Sequence, residues 1–68
     1  MEKNLLLLGK MAEAGYTRRS LAARIGITEY SLSKKISGKS DFNVREVVAI
    51  CDVLHISDDK LKAQIFLT

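Results

Sequence analysis

The side chains best equipped for chemistry in this 68-residue chain lie between Thr17 and Lys39, in the run TRRSLAARIGITEYSLSKKISGK. Arg18, Arg19, Arg24, Lys34, Lys35 and Lys39 are basic there, and only Glu29 is acidic. Ammonium and guanidinium groups neutralise phosphates, the hydroxyls of Tyr30, Ser33 and Ser37 can donate to a phosphate or a base edge, and Glu29 can accept from a cytosine amine. A second pair of reactive groups, Cys51 and His55, is spaced four apart on one helix face. A catalytic dyad needs an exposed thiolate, an orienting third group and a pocket. Cys51 falls in an apolar-periodic run and reads as a buried core thiol. An enzyme is therefore the weakest reading, and no catalytic residue is assigned.

The elements that must position these groups are helices. Asn4 caps a first helix that Gly15 stops. Thr17 caps a second that runs to Ile25, with Gly26 just past its end, where a left-handed backbone suits Gly. Thr28 caps a third, ending near Ser37 and Gly38. Asn43 and Glu46 form a capping-box pattern at the start of a fourth, which reaches about Leu54. Ser57 caps a fifth, with Asp58 and Asp59 in its first turn, and His55 is read as a partner of the fourth helix's dipole. No segment alternates apolar and polar residues as a strand does, so the chain reads as all-α, one domain over 1–68. Leu21 and Ile25, then Leu32 and Ile36, then Val44, Val47, Val48, Cys51 and Leu54 form inward stripes. Leu5, Leu8, Met11, Ile27, Phe42, Ile50, Ile56, Leu61 and Ile65 are expected to close the core.

With Leu32 and Ile36 inward, a rotation of about 100° per residue turns Tyr30, Ser33, Lys34 and Ser37 outward, with Glu29 on the exposed first turn. Arg24 and Lys35 are read as solvated. Ala22 points at the neighbouring helix, where a small side chain permits a close crossing. Two short helices, a glycine turn and a polar, basic outer face are the sequence form of a helix-turn-helix over 17–38. Such a unit presents its second helix, here 28–37, to the major groove of DNA. Arg18 and Arg19 lie at a helix N-terminus whose backbone N–H groups also suit a phosphate.

Charge distribution agrees. Residues 1–40 carry eight Lys/Arg against three Glu, a net +5, and residues 41–68 carry three against five acids, a net −2. A basic front and an acidic back orient a molecule in the field of a polyanion. With one Cys and one His, neither a disulfide framework nor a multi-ligand zinc site fits within one chain, and the usage suits a reducing intracellular compartment. No cofactor, metal or small-molecule ligand is implied. No apolar run reaches membrane-spanning length, and no signal-peptide pattern is read at the N-terminus.

The motif residues Thr17, Leu21, Ala22, Gly26, Ile27, Thr28, Leu32 and Gly38-Lys39 resemble the helix-turn-helix of Cro and the lambda-repressor-like regulators. The similarity extends from about Leu5 to Phe66, and LSKKISGKSDFNVREVVAIC looks most like short regulators of bacteriophages and prophages. The resemblance implies a compact five-helix domain in which Glu29, Tyr30 and Lys34 read bases, with Ser33 close by and Thr28 capping the reading helix. It assigns phosphate contacts to Arg18 and, in the loop beyond, to Ser37, Lys39 and Ser40. Many relatives pair an Arg in the first helix with a Glu late in the reading helix. Met11 and Ile36 stand at those positions, so an apolar contact is expected there. Lys35 also departs, from a position that is usually apolar.

The expected function is that of a sequence-specific, double-stranded DNA-binding regulator, a phage-type repressor or Cro-like protein of the bacterial cytoplasm and nucleoid. So few base contacts suggest two copies on a pseudo-palindromic operator, with Leu6, Leu7 and the tail Ile65-Phe66-Leu67 as candidates for the homodimer surface. The competing reading is a protein-binding antirepressor or modulator that uses the same helices to cap a partner repressor, with Tyr30 and the leucines as anchors.

Overall fold

Side-chain caps set where the helices begin. The computed structural model describes residues 4–66. Its elements are α1 (Leu5–Glu13), α2 (Arg18–Ile25), α3 (Glu29–Ile36), α4 (Val44–Leu54) and α5 (Asp59–Phe66), with no strand among the described residues. Asn4 accepts from the Leu7 N–H at 3.2 Å, and Thr28 from the Ser31 N–H at 3.0 Å. Asn43 and Glu46 complete the expected reciprocal box at 2.8 and 2.9 Å. Thr17 makes a second box with Ser20, at 3.1 and 2.9 Å. A serine replaces the usual Glu or Gln there, so the sequence pattern had not flagged it. The cap of α5 is Asp58, not Ser57. Its carboxylate accepts from the Lys60 N–H at 2.9 Å, and its carbonyl accepts from Lys62. His55 acts through its backbone, closing α4 at φ 57° while the Ile56 N–H donates to the Cys51 carbonyl.

Leu7, Leu21, Leu32, Ile36 and Ile50 are fully enclosed, and Met11, Ala22, Cys51, Leu54, Ile56 and Ile65 complete the core. Some expectations fail. Leu7, not Leu5, is buried, and Leu5 is 65% exposed. Of the residues expected to form a dimer surface, Leu7 and Ile65 are therefore core, Phe66 is half-buried, and Leu67 lies outside the described residues. Along α4 the inward stripe is Val47, Ile50, Cys51 and Leu54, which leaves Val44 and Val48 outside at 81% and 55%. Met11 and Ile36 share the core, as the two apolar replacements require.

α2 packs against α3 and α4, and α1 against α5. Asn4 ties three of these pieces together. Its N–H donates to the Ile36 carbonyl at 3.1 Å and its Nδ2 to the Ile65 carbonyl at 2.7 Å, so the start of α1 holds the ends of α3 and α5. Phe42 and Phe66 meet edge to face, centroids 5.3 Å apart.

Two glycines make opposite demands. Gly26 ends α2 at φ 84°, with its N–H and that of Ile27 both donating to the Ala22 carbonyl, and this sharp reversal sets α3 across α2. Gly9 lies inside α1, and a Cβ built there meets nothing within 4 Å. Gly26→Ala is expected to destabilise the fold by about 1–2 kcal/mol through left-handed strain. Gly9→Ala should stabilise it by about 0.5–1 kcal/mol through helix propensity. Urea unfolding of the two variants checks the sign of each.

Candidate nucleic-acid interface

α3 is amphipathic over only two turns, so each residue's azimuth decides its environment. Leu32 and Ile36 are sealed, and the opposite face carries Tyr30, 74% exposed, with Lys34 one turn further on. The Lys34 ammonium lies 5.5 Å from the Tyr30 ring centroid, a cation–π contact that holds both side chains over one patch. Glu29 is exposed at the first turn and Ser33 is half-buried on the flank. Thr28, exposed at the cap, spends its Oγ1 on the Ser31 N–H, which fixes the direction from which α3 leaves the turn.

The segment after α3 folds back onto it. The Gly38 N–H donates to the Lys35 carbonyl at 3.2 Å, and the N–H groups of Lys39 and Ser40 both donate to the Lys34 carbonyl, at 2.9 and 3.3 Å. Ser37 Oγ also donates to that carbonyl, at 3.0 Å. Lys39 is thereby exposed immediately beyond the helix, with Ser40 half-buried beside it. Arg18 and Arg19 occupy the first two positions of α2, Arg18 half-buried and Arg19 exposed. The capped first turn of α2 therefore carries two adjacent arginines.

Lys35 is not solvated. Its side chain is 13% exposed and its ammonium donates to a Glu46 carboxylate oxygen, on a side chain 8% exposed. Burial raises the Glu46 pKa, but the Lys35 hydrogen bond, the Asn43 N–H and the Lys35 charge together outweigh it, and the carboxyl lies below its usual 4.5. Sequence reasoning missed this pair. A signal existed: Lys35 is adjacent to Ile36 and three residues from Leu32, on the shoulder of the inward stripe, where a long side chain can bury its stem. The pair clamps the last turn of α3 to the first turn of α4. It thereby fixes the orientation of the outer face of α3.

Burial pushes the Cys51 thiol up, Lys62 pulls it down and Asp52 adds to the rise, leaving a net increase. A nucleophilic thiol needs the opposite. Among the described residues no three His, Cys, Asp or Glu side chains gather as a metal site, and no helix is long and apolar enough to cross a membrane.

The sequence matches a family model, that of the Cro/C1-type HTH DNA-binding domain, over residues 7–57, from the first buried leucine to the turn before α5. No curated protein and no solved structure matches the chain.

Proposed function

The chain belongs to the Cro/C1-type helix-turn-helix DNA-binding family, and from that premise we propose that it is a sequence-specific transcriptional regulator of the phage repressor or Cro type. It acts in the bacterial cytoplasm, at the nucleoid. It lays α3 in the major groove of an operator and excludes polymerase or a competing repressor. The observation that carries this reading is the Tyr30–Lys34 patch, standing outward from α3 directly opposite buried Leu32 and Ile36.

In this mechanism Tyr30 and Lys34 meet base edges, with Glu29 and Ser33 beside them. Lys34 suits guanine O6 and N7, and the ring beneath it limits the directions its ammonium can take. Arg18 and Arg19 at the head of α2, Thr28 at the turn, and Lys39 and Ser40 beyond α3 take phosphates and fix the register, while Ser37, its hydroxyl proton given to the Lys34 carbonyl, shapes that turn. So small a reading surface calls for two copies on a pseudo-palindrome, with half-sites about one helical turn, roughly 34 Å, apart.

Selection of sites from random duplex DNA, followed by salt titration, tests the assignment. Lys34→Ala is expected to lose about 1–3 kcal/mol of discrimination at one base pair. Tyr30→Ala should alter the same position as well as its own, because it removes the surface on which Lys34 rests. Arg18→Ala should weaken all sequences alike and lower the salt slope by about one. A uniform loss from all three would remove α3 as the reading element. Binding insensitive to salt would point to a protein partner instead.

A further inference from the structure

The outer face of α4 is left unused by the DNA reading. Viewed down the helix at about 100° per residue, Val44, Arg45, Val48, Asp52 and His55 lie within about 60° of Val48. All five are exposed, and Val44 and Val48 are the two most exposed aliphatic residues of α4. A groove of about 510 Å³ runs alongside, between α4 and α5, lined by Val47, Cys51, His55 and Lys62 among others. Asp52 and the net negative charge of residues 41–68 make this side a poor surface for a polyanion.

The stripe is complementary to itself. Arg45 precedes Val48 by three residues and Asp52 follows it by four, and both lean to the same side of the stripe. A two-fold axis through Val48 sets two such helices antiparallel. Each residue then faces a residue on the same flank and at the same distance from the axis, but on the other side of it along the helix. Arg45 thereby falls beside the partner's Asp52, twice by symmetry. Val44, on the opposite flank, comes down between the partner's Cys51 and His55, at the mouth of the groove. A parallel arrangement would instead set Arg45 beside the partner's Val44 and Asp52 beside its Cys51 and His55, with no ion pair formed.

We propose that this face of α4 is the surface through which two copies of the chain associate, with Val48 at the axis and two Arg45–Asp52 ion pairs along the rim. Its biological use rests on the proposed operator-bound pair. Association measured without DNA separates failure of the surface from failure of that reading. The experiment is sedimentation of the full chain up to about 1 mM, for wild type, Arg45→Asp, Asp52→Arg, the double reversal and Val48→Arg. These side chains are exposed, and circular dichroism confirms that each variant is folded.

Wild type is expected to dimerise reversibly. Each single reversal should weaken the dimer at least about tenfold by placing like charges together. The double reversal should return most of that loss, and Val48→Arg should abolish association by bringing two charges together on the axis. A wild-type chain that stays monomeric overturns the proposal. So do single reversals that associate as wild type does, or a double reversal that regains nothing.

Discussion

Leu7→Ala is expected to cost about 2–5 kcal/mol, while Leu5→Ala, two residues earlier in the same run of leucines, should change stability by less than about 0.5 kcal/mol. Leu7 is completely enclosed, in the same core as Met11, Ile36 and Ile65, and its removal leaves a void lined by side chains that cannot all close in. Leu5 is largely in solvent. A domain of this length has roughly 3–10 kcal/mol of stability in total. The Leu7 variant therefore loses a large share of it and should show a thermal midpoint far below wild type. Thermal and urea unfolding followed by circular dichroism compare the two. Equal losses would mean that α1 is rotated from the position described above.

The second large effect concerns the Lys35–Glu46 clamp. Glu46→Gln keeps a side-chain oxygen for the Asn43 N–H, because Gln also serves in a capping box, yet it leaves the Lys35 ammonium enclosed without its counter-charge. Removing one member of a buried pair costs about 3–5 kcal/mol. Adding Lys35→Met removes the stranded charge and should recover much of that loss. If the double variant is as unstable as the single, the capping geometry of Glu46, not its charge, is what matters.

The same pair predicts an acid dependence. The folded-state pKa of Glu46 lies below its usual 4.5, so the ionised carboxylate stabilises the fold fully above that value. The contribution is lost as pH falls through the lower folded value. Wild-type unfolding free energy should therefore fall off below about pH 4.5, and Glu46→Gln should lack that component.

Much of the architecture was legible because its punctuation is local. Thr17, Thr28 and Asn43 can satisfy helix N–H groups only at helix starts, and Gly15, Gly26 and Gly38 adopt the left-handed angles that end them. The outward aim of Tyr30 followed from the same period that buried Leu32 and Ile36. What could not be read was phase where hydrophobic residues are consecutive. Four leucines in a row cover every azimuth of α1, and only the four-residue step from Leu7 to Met11 marks the inner one. Valines at 44, 47 and 48 hide the stripe of α4 in the same way. The Lys35–Glu46 pair was hidden for another reason. It joins residues eleven apart through a loop whose path the sequence does not specify.

Asn4 has one more consequence. A single side chain and its own amide connect the opening turn of the chain to carbonyls thirty-two and sixty-one residues downstream. The first turn of α1 cannot then fray alone: releasing it also loosens the ends of α3 and α5. Thermal excursions of the two helices then merge into one cooperative opening instead of two small ones, so damage at the start of α1 is felt at the end of α3.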